Sequence, residues 1–240
     1  MFKTAKALVL REVKYKEADK ILTVLTDSDG KLTVKARGAL RKSCKYGAAA
    51  QMLCFSEMTL FSNAGKWSVN EAETIEQFLP LRADLEKLAL GTYFAELLEA
   101  VSDEDSPNGA LLSLGLNALY ALSNDLYPPE HVKAVFELRL LCLSGFEPDL
   151  GADGELFSLN GGRVHTREDL SGVSGVSLPV DAAVLRAMRY IVSAEPKKIF
   201  SFAIPAASER QLGGVCEAYC AAQLERSFSS LEYWKSIRLT

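Results

Sequence analysis

Lys20–Gly47 reads KILTVLTDSDGKLTVKARGALRKSCKYG, and its pattern decides the architecture of the first third of the chain. Ile21-Leu22-Thr23-Val24-Leu25 is apolar, rich in β-branched residues and too short for a good helix. Asp27-Ser28-Asp29-Gly30 follows, and Asp-Gly between two strand-like runs is a strong local hairpin signal. The return strand alternates, with Leu32, Val34 and Ala36 on one face and Lys31, Thr33, Lys35 and Arg37 on the other. Beyond it, Gly38 to Gly47 is a basic loop with glycine hinges that carries Arg41, Lys42, Lys45 and one aromatic, Tyr46. A cationic strand face running into a cationic flexible loop is a track for a phosphate backbone; a solvated face beside a solvated loop is the competing reading.

Outward from this hairpin the strand pattern continues. Lys3 to Lys16 predicts a long first strand, with Ala7-Leu8-Val9-Leu10 apolar on both faces. Gln51 to Phe61 and Lys66 to Ile75 predict a fourth and a fifth, joined through Ser62-Asn63-Ala64-Gly65. Five short strands with a longer connection between the third and fourth match a five-stranded OB-fold barrel, whose usual ligands are single strands and oligonucleotides.

At Leu79-Pro80 the period changes from strand to helix, which predicts two domains, 1–80 and 81–240, and an α+β chain. Leu85, Leu88, Tyr93, Leu97 and Leu98 share one helical face. Ser102 to Pro107, with its acidic run Asp103-Glu104-Asp105, reads as a solvated turn. Ala110 to Ser123 is apolar enough to lie centrally in a bundle, and Pro128-Pro129 starts a third helix, His131 to Leu143, closed by Ser144-Gly145. A glycine-rich insert with weak strand character around Leu156 to Leu159 occupies about 146–178, and helices resume over Asp181 to Ser193, Ser208 to Phe228 and Leu231 to Ile237.

Charge is unevenly distributed. Residues 1–46 hold twelve Lys and Arg against five acids, a net +7, which leaves −11 for the other 194 residues of a chain whose total is −4. Such asymmetry points to an anionic partner at the basic end. Walker and dinucleotide loops, a Gly-x-Ser-x-Gly elbow and His-Glu-x-x-His are all missing, so the sequence predicts neither an enzyme nor a bound cofactor. His131 reads as a solvated first-turn residue, and His165 has no neighbouring nucleophile. Cys44, Cys54, Cys142, Cys216 and Cys220 lack framework spacing and read as reduced thiols, with Cys216 and Cys220 packed on one helix face rather than holding a metal. No apolar run reaches the roughly 18 residues of a membrane span, and the N-terminus is unlike a signal peptide, which predicts a cytoplasmic protein.

Several stretches together resemble the RecO family of bacterial DNA repair proteins. Ala7-Leu8-Val9-Leu10-Arg11, followed by Tyr15-x-Glu17-x-Asp19-Lys20-Ile21-Leu22, is similar to its opening strands. Thr26 to Gly30 and Val34 to Ser43 resemble its hairpin and basic loop, and Phe136 to Leu141 with Gly145-Phe146-x-Pro148-x-Leu150 its third-helix signature. Leu224-Glu225-Arg226 and Leu231 to Ser236 resemble its last helices less sharply. Many members carry two Cys-x-x-Cys pairs in the insert; here Asp153, Leu156, His165 and Glu168 fall at those places, which removes zinc from the expectation.

The resemblance implies a recombination mediator, nucleoid-associated in the cytoplasm. Such a protein binds single- and double-stranded DNA, anneals complementary strands, and works with RecR to help load RecA on strands coated by the single-stranded-DNA-binding protein. The expected DNA track is Lys31, Lys35, Arg37, Arg41, Lys42, Lys45 and Tyr46, with Trp67 as a second ring. The acidic-hydrophobic tail of the single-strand-binding protein is expected to dock on the third helix at Lys133, Arg139 and Leu140. The alternative is an adaptor of the same architecture that binds only proteins through its basic loop.

Overall fold

The computed structural model describes residues 1–104, 106–169 and 175–238. The chain divides into two compact units: Met1–Asn124 together with the segment from Ser230, and Asp125–Ser229. The helical pattern does begin near residue 80. Compactness nevertheless runs on to Asn124, because the first helices pack on the barrel rather than on those that follow.

Five strands build the first unit: β1 (Phe2–Tyr15), β2 (Asp19–Thr26), β3 (Gly30–Ala36), β4 (Phe55–Asn63) and β5 (Lys66–Glu76). They close into a barrel in the order β1-β2-β3-β5-β4, with β4 returning antiparallel to β1. This is the OB-like architecture expected from the alternation. Closure on the far side is thin, since β3 and β5 run parallel over only Val34↔Trp67 and Lys35↔Ser68. The inward faces supply the core: Ala7 and Val9 of β1, Leu22 and Val24 of β2, Leu32, Val34 and Ala36 of β3, and Met58, Leu60 and Val69. Leu8 and Leu10 are buried on β1's other face, where α2 packs, which is why that run is apolar on both sides.

The register of β1 slips between Val9 and Arg11. This frees the Val9 backbone to accept from Leu53 N–H (2.8 Å) and donate to the Cys54 carbonyl (3.0 Å). The segment between β3 and β4 is thereby pinned down and is not the flexible loop the glycines suggested. Its turns bury Ala39, Ala49, Ala50, Leu53 and Cys54, and β4 starts at Phe55 instead of Gln51. Small apolar residues fill the end of the barrel here, a packing role that strand periodicity does not reveal.

The unit continues with α1 (Leu79–Arg82), α2 (Leu85–Val101) and α3 (Gly109–Ser123). Asp84 caps α2 by accepting from Glu86 and Lys87 N–H, and Asn108 caps α3 by accepting from Leu111 N–H. The apolar α3 packs on α2 and the barrel, not at the centre of a later bundle. Leu85 is exposed, whereas Tyr93, Leu97 and Leu98 are buried as expected and are joined on the buried face of α2 by Leu90 and Phe94. The turn after α2 is docked rather than free, because Lys31 N–H donates to the Asp103 carbonyl (3.0 Å). The third acid of that run, Asp105, lies outside the described residues.

In the second unit α4 (Pro129–Leu143) is buried nearly all round and packs on α6 (Ala206–Leu224) and α5 (Ala182–Ser193). His131 is a correction: it is buried, not solvated. Its Nε2–H donates to the Phe200 carbonyl (3.0 Å), Nδ1 pairs with Glu209 (2.8 Å), and the ring stacks on Tyr127. Glu209 arrives from α6, so the first turn of α4 gives no hint of it. The insert forms a small sheet, β7-β6-β8, from β6 (Leu156–Ser158), β7 (Arg163–His165) and β8 (Ser177–Pro179). The Phe157 ring meets Tyr219 of α6 edge-on at 5.0 Å, and Tyr219 donates to the Phe146 carbonyl (3.0 Å). Finally α7 (Ser229–Arg238) belongs to the first unit from Ser230 on, where Arg238 pairs with Glu86 (2.9 Å). No described helix is long and apolar enough to cross a membrane.

Candidate nucleic-acid interface

The basic N-terminal stretch sorts into committed and available cations. Lys3 pairs with Asp29, Lys20 with Glu12 (2.6 Å), and Arg11 with Glu99 (2.9 Å). Two residues of the expected track belong to this committed group. Lys31 is half-buried and donates to the Glu99 carbonyl (2.9 Å). Lys35 pairs with Asp19 (2.9 Å), and its ammonium lies 5.0 Å from the Tyr15 ring centroid. Asp19 is a working part that the sequence reading missed: it also accepts from Gly38 N–H (2.8 Å). That backbone bond, with Lys35 beside it, holds the Asp19 carboxyl below the usual carboxylate range.

Arg37, Arg41, Lys42 and Lys45 differ from these. All four are exposed, and among the described residues none of them makes an ion pair. Arg37 leaves the end of β3, and the other three sit on the turns that cap the barrel. Arg37, Arg41 and Lys45 line one cleft of about 610 Å³. Its other wall, from β4 and β5, carries Glu57, Glu71 and Glu73, of which Glu57 and Glu73 are direct cross-strand partners. Like charges facing each other across a ladder are destabilising, so these acids are not there to hold the barrel together. Tyr46 is not a free stacking face. Its ring packs against the barrel core and its hydroxyl donates to the Arg37 carbonyl (2.6 Å), while burial raises the phenol's pKa. It acts as a strut under the cationic end.

Residues 1–78 match the family described as Recombination protein O N terminal, and residues 82–232 match Recombination protein O C terminal. The chain belongs to the RecO family. Among its relatives, the DNA repair protein RecO of Acetivibrio thermocellus is 32% identical over 96% of this chain and 95% of that protein. The RecO proteins of Desulforudis audaxviator (30%, covering 98% and 96%) and Symbiobacterium thermophilum (29%, covering 96% and 96%) are similarly close.

The slot expected on α4 for a RecO partner's tail is closed. Lys133 is 4% exposed, and its ammonium sits 2.8 Å from both Glu137 and Glu217. Burial pulls that ammonium's pKa down, but the two carboxylates outweigh it and hold it above the usual value. Leu140 is fully buried. Arg139 donates to the Ile191 and Val192 carbonyls, satisfying the last turn of α5. Lys133, Arg139 and Leu140 therefore serve packing within the second unit. Glu217 lies 84 positions downstream, so the α4 sequence alone does not show where Lys133 points.

The positions where many RecO proteins place zinc-binding cysteines do not fit the metal. His165 donates from Nδ1 to the Thr166 carbonyl (2.9 Å), and its Nε2 is engaged with Ser177 Oγ (2.9 Å). Asp153 pairs with Arg189 (3.0 Å), and Leu156 has no donor atom. No three His, Cys, Asp or Glu side chains converge as ligands among the described residues.

Proposed function

We propose that this chain is a DNA repair and recombination mediator that acts by binding rather than by catalysis. On this reading it grips single- and double-stranded DNA, anneals complementary strands, and with RecR helps load RecA onto strands coated by the single-stranded-DNA-binding protein in the cytoplasm. Membership of the RecO family supports the repair role. The observation that carries the DNA contact is the contrast within the basic stretch. Lys3, Arg11, Lys20, Lys31 and Lys35 are held by partners inside the first unit, whereas Arg37, Arg41, Lys42 and Lys45 stand exposed together at one end of the barrel.

Each phosphate neutralised on a single strand releases counterions, with a log–log salt slope of roughly −0.7 per contact. Replacing Arg41 and Lys42 together by Ala removes two exposed contacts, so the slope should flatten by about 1.4 and annealing should slow. Thermal stability should hardly change, because the two side chains are exposed. Titrating a labelled oligonucleotide at several salt concentrations reads the slope. An unaltered slope and affinity in a folded double variant would reject the phosphate track and leave the protein-binding adaptor.

A further inference from the structure

The cleft at the end of the barrel carries the cations Arg37, Arg41 and Lys45 on its loop wall and the acids Glu57, Glu71 and Glu73 on its β4–β5 wall, so its lining sums to zero charge. Opposite charges across a gap attract, yet none of these six makes an ion pair among the described residues. The gap stays open because the loop is tied from behind. Gly38 N–H donates to Asp19 (2.8 Å), Arg41 N–H to the Gly38 carbonyl (2.9 Å), and the Tyr46 hydroxyl to the Arg37 carbonyl (2.6 Å).

The acids are fixed as firmly. Glu57 faces Glu73 directly across the β4–β5 ladder and Thr59 faces Glu71, so all three acids project from one side of the sheet, and all three are exposed. Lys6 of β1 stands opposite Glu57 on its other side, but it does not line the cleft, and it forms no ion pair among the described residues. A ladder that sets two like charges side by side gives up stability, and Thr would serve an outward strand position better. Their effect therefore falls on whatever enters the cleft.

A phosphate in the gap is drawn by one wall and repelled by the other. The lining is neutral as a whole and adds no long-range pull, so the grip comes from contact with the loop alone. The opposing carboxylates weaken that contact. Such a balance suits a protein that must let go of a strand for pairing to proceed.

We infer that Glu57, Glu71 and Glu73 act as an electrostatic brake on the grip of the cationic loop: they shorten the lifetime of a bound DNA backbone and keep it exchangeable. The inference rests on the DNA-binding reading of that loop and adds its regulation.

The test compares the full-length protein with Glu57→Gln/Glu73→Gln and with Glu232→Gln, which removes a charge on α7, outside the cleft lining. Anisotropy reads affinity for a labelled oligothymidine from about 0.01 M to about 1 M salt. Stopped-flow mixing of the complex with unlabelled strand reads release. At low salt the double variant should bind about three- to tenfold more tightly and release the strand more slowly by a similar factor. The gain should vanish toward high salt, where the Debye length falls from about 30 Å to about 3 Å, shorter than the gap between the unpaired charges. Annealing by substoichiometric protein should slow, and the melting temperature should not fall, since a like-charge pair has left the ladder. Glu232→Gln should match wild type; an equal gain there would reduce the effect to net charge and overturn the brake. Tighter binding with faster annealing would overturn it too. Unchanged affinity and release in the folded double variant would overturn the brake alone if Arg41→Ala/Lys42→Ala, run alongside, still loses affinity. Failure of wild type to bind any DNA would overturn both the brake and the loop reading.

Discussion

Gly30→Ala tests how the β2–β3 turn is held. Gly30 lies at φ +69°, and a Cβ there would come within 2.5 Å of the Ser106 carbonyl oxygen and 2.6 Å of that of Asp103. Both obstacles are backbone, so no side chain can swing aside. Restoring ordinary contact of at least 3.4 Å means backing that segment away by about 1 Å. The left-handed conformation costs a residue with a Cβ about 1–2 kcal/mol. The steric displacement adds about 1–3 kcal/mol, and loss of the Lys31 N–H to Asp103 bond adds about 1 kcal/mol. Reduced entropy of the unfolded chain returns about 0.4–1 kcal/mol. The net expectation is a loss of roughly 2–5 kcal/mol. Gly65→Ala supplies the control: φ is +75°, but nothing lies within 4 Å of the added Cβ, leaving only the conformational cost of about 1 kcal/mol. Urea unfolding followed by tryptophan emission suits the comparison, since Trp67 and Trp234 both belong to the first unit. The reasoning is refuted if Gly30→Ala is no more destabilised than Gly65→Ala.

Two further expectations concern the second unit. Lys133→Met withdraws the ammonium shared by Glu137 and Glu217 and should cost about 3–5 kcal/mol near neutral pH. Adding Glu137→Leu should recover part of the loss, as thermal melts by circular dichroism would show. Asp181 accepts from Ala183 and Val184 N–H and from the Ser208 hydroxyl, and these bonds, that of Val184 first, lower its pKa from 3.8. A carboxyl depressed by folding stabilises above its unfolded value and loses that contribution as pH falls through the folded one. Asp181→Asn should therefore lower stability at neutral pH, where the charged carboxyl contributes, and approach wild type below about 3.8, so that the acid loss flattens; an unchanged acid limb would remove Asp181 from that account.

The features read correctly from sequence are those fixed by near neighbours. Leu32, Val34 and Ala36 alternate with Lys31, Thr33 and Lys35, and one face of β3 is buried accordingly. Asp29-Gly30 marks the hairpin, although the close approach of Ser106 to Gly30 does not show in the turn itself. The features missed are those fixed by distant partners. Lys133 and His131 look like surface residues until Glu217 and Glu209 arrive from α6. Tyr46 looked available for stacking because its packing against the barrel core depends on how the following alanines fold over. In the basic stretch, charge alone does not sort the cations; only the positions of Asp19 and Glu99 separate those already engaged from those left exposed. Trp67 was ambiguous for a physical reason: it packs on the core and lines a groove at once.

The chain leaves the first unit after Asn124 and rejoins it at Ser230, so the 105 residues of Asp125–Ser229 are inserted within a structure they do not complete. During synthesis at about 5–20 residues per second, the ribosome spends roughly 5–20 s on this interval. Throughout it, the barrel and α1–α3 lack the helix that brings Trp234 and the Arg238–Glu86 pair. The second unit can therefore emerge whole while the first still waits for its last piece, reversing the order in which the two begin. A truncation that removes the final residues would wound the N-terminal unit, the one farthest from the cut in sequence.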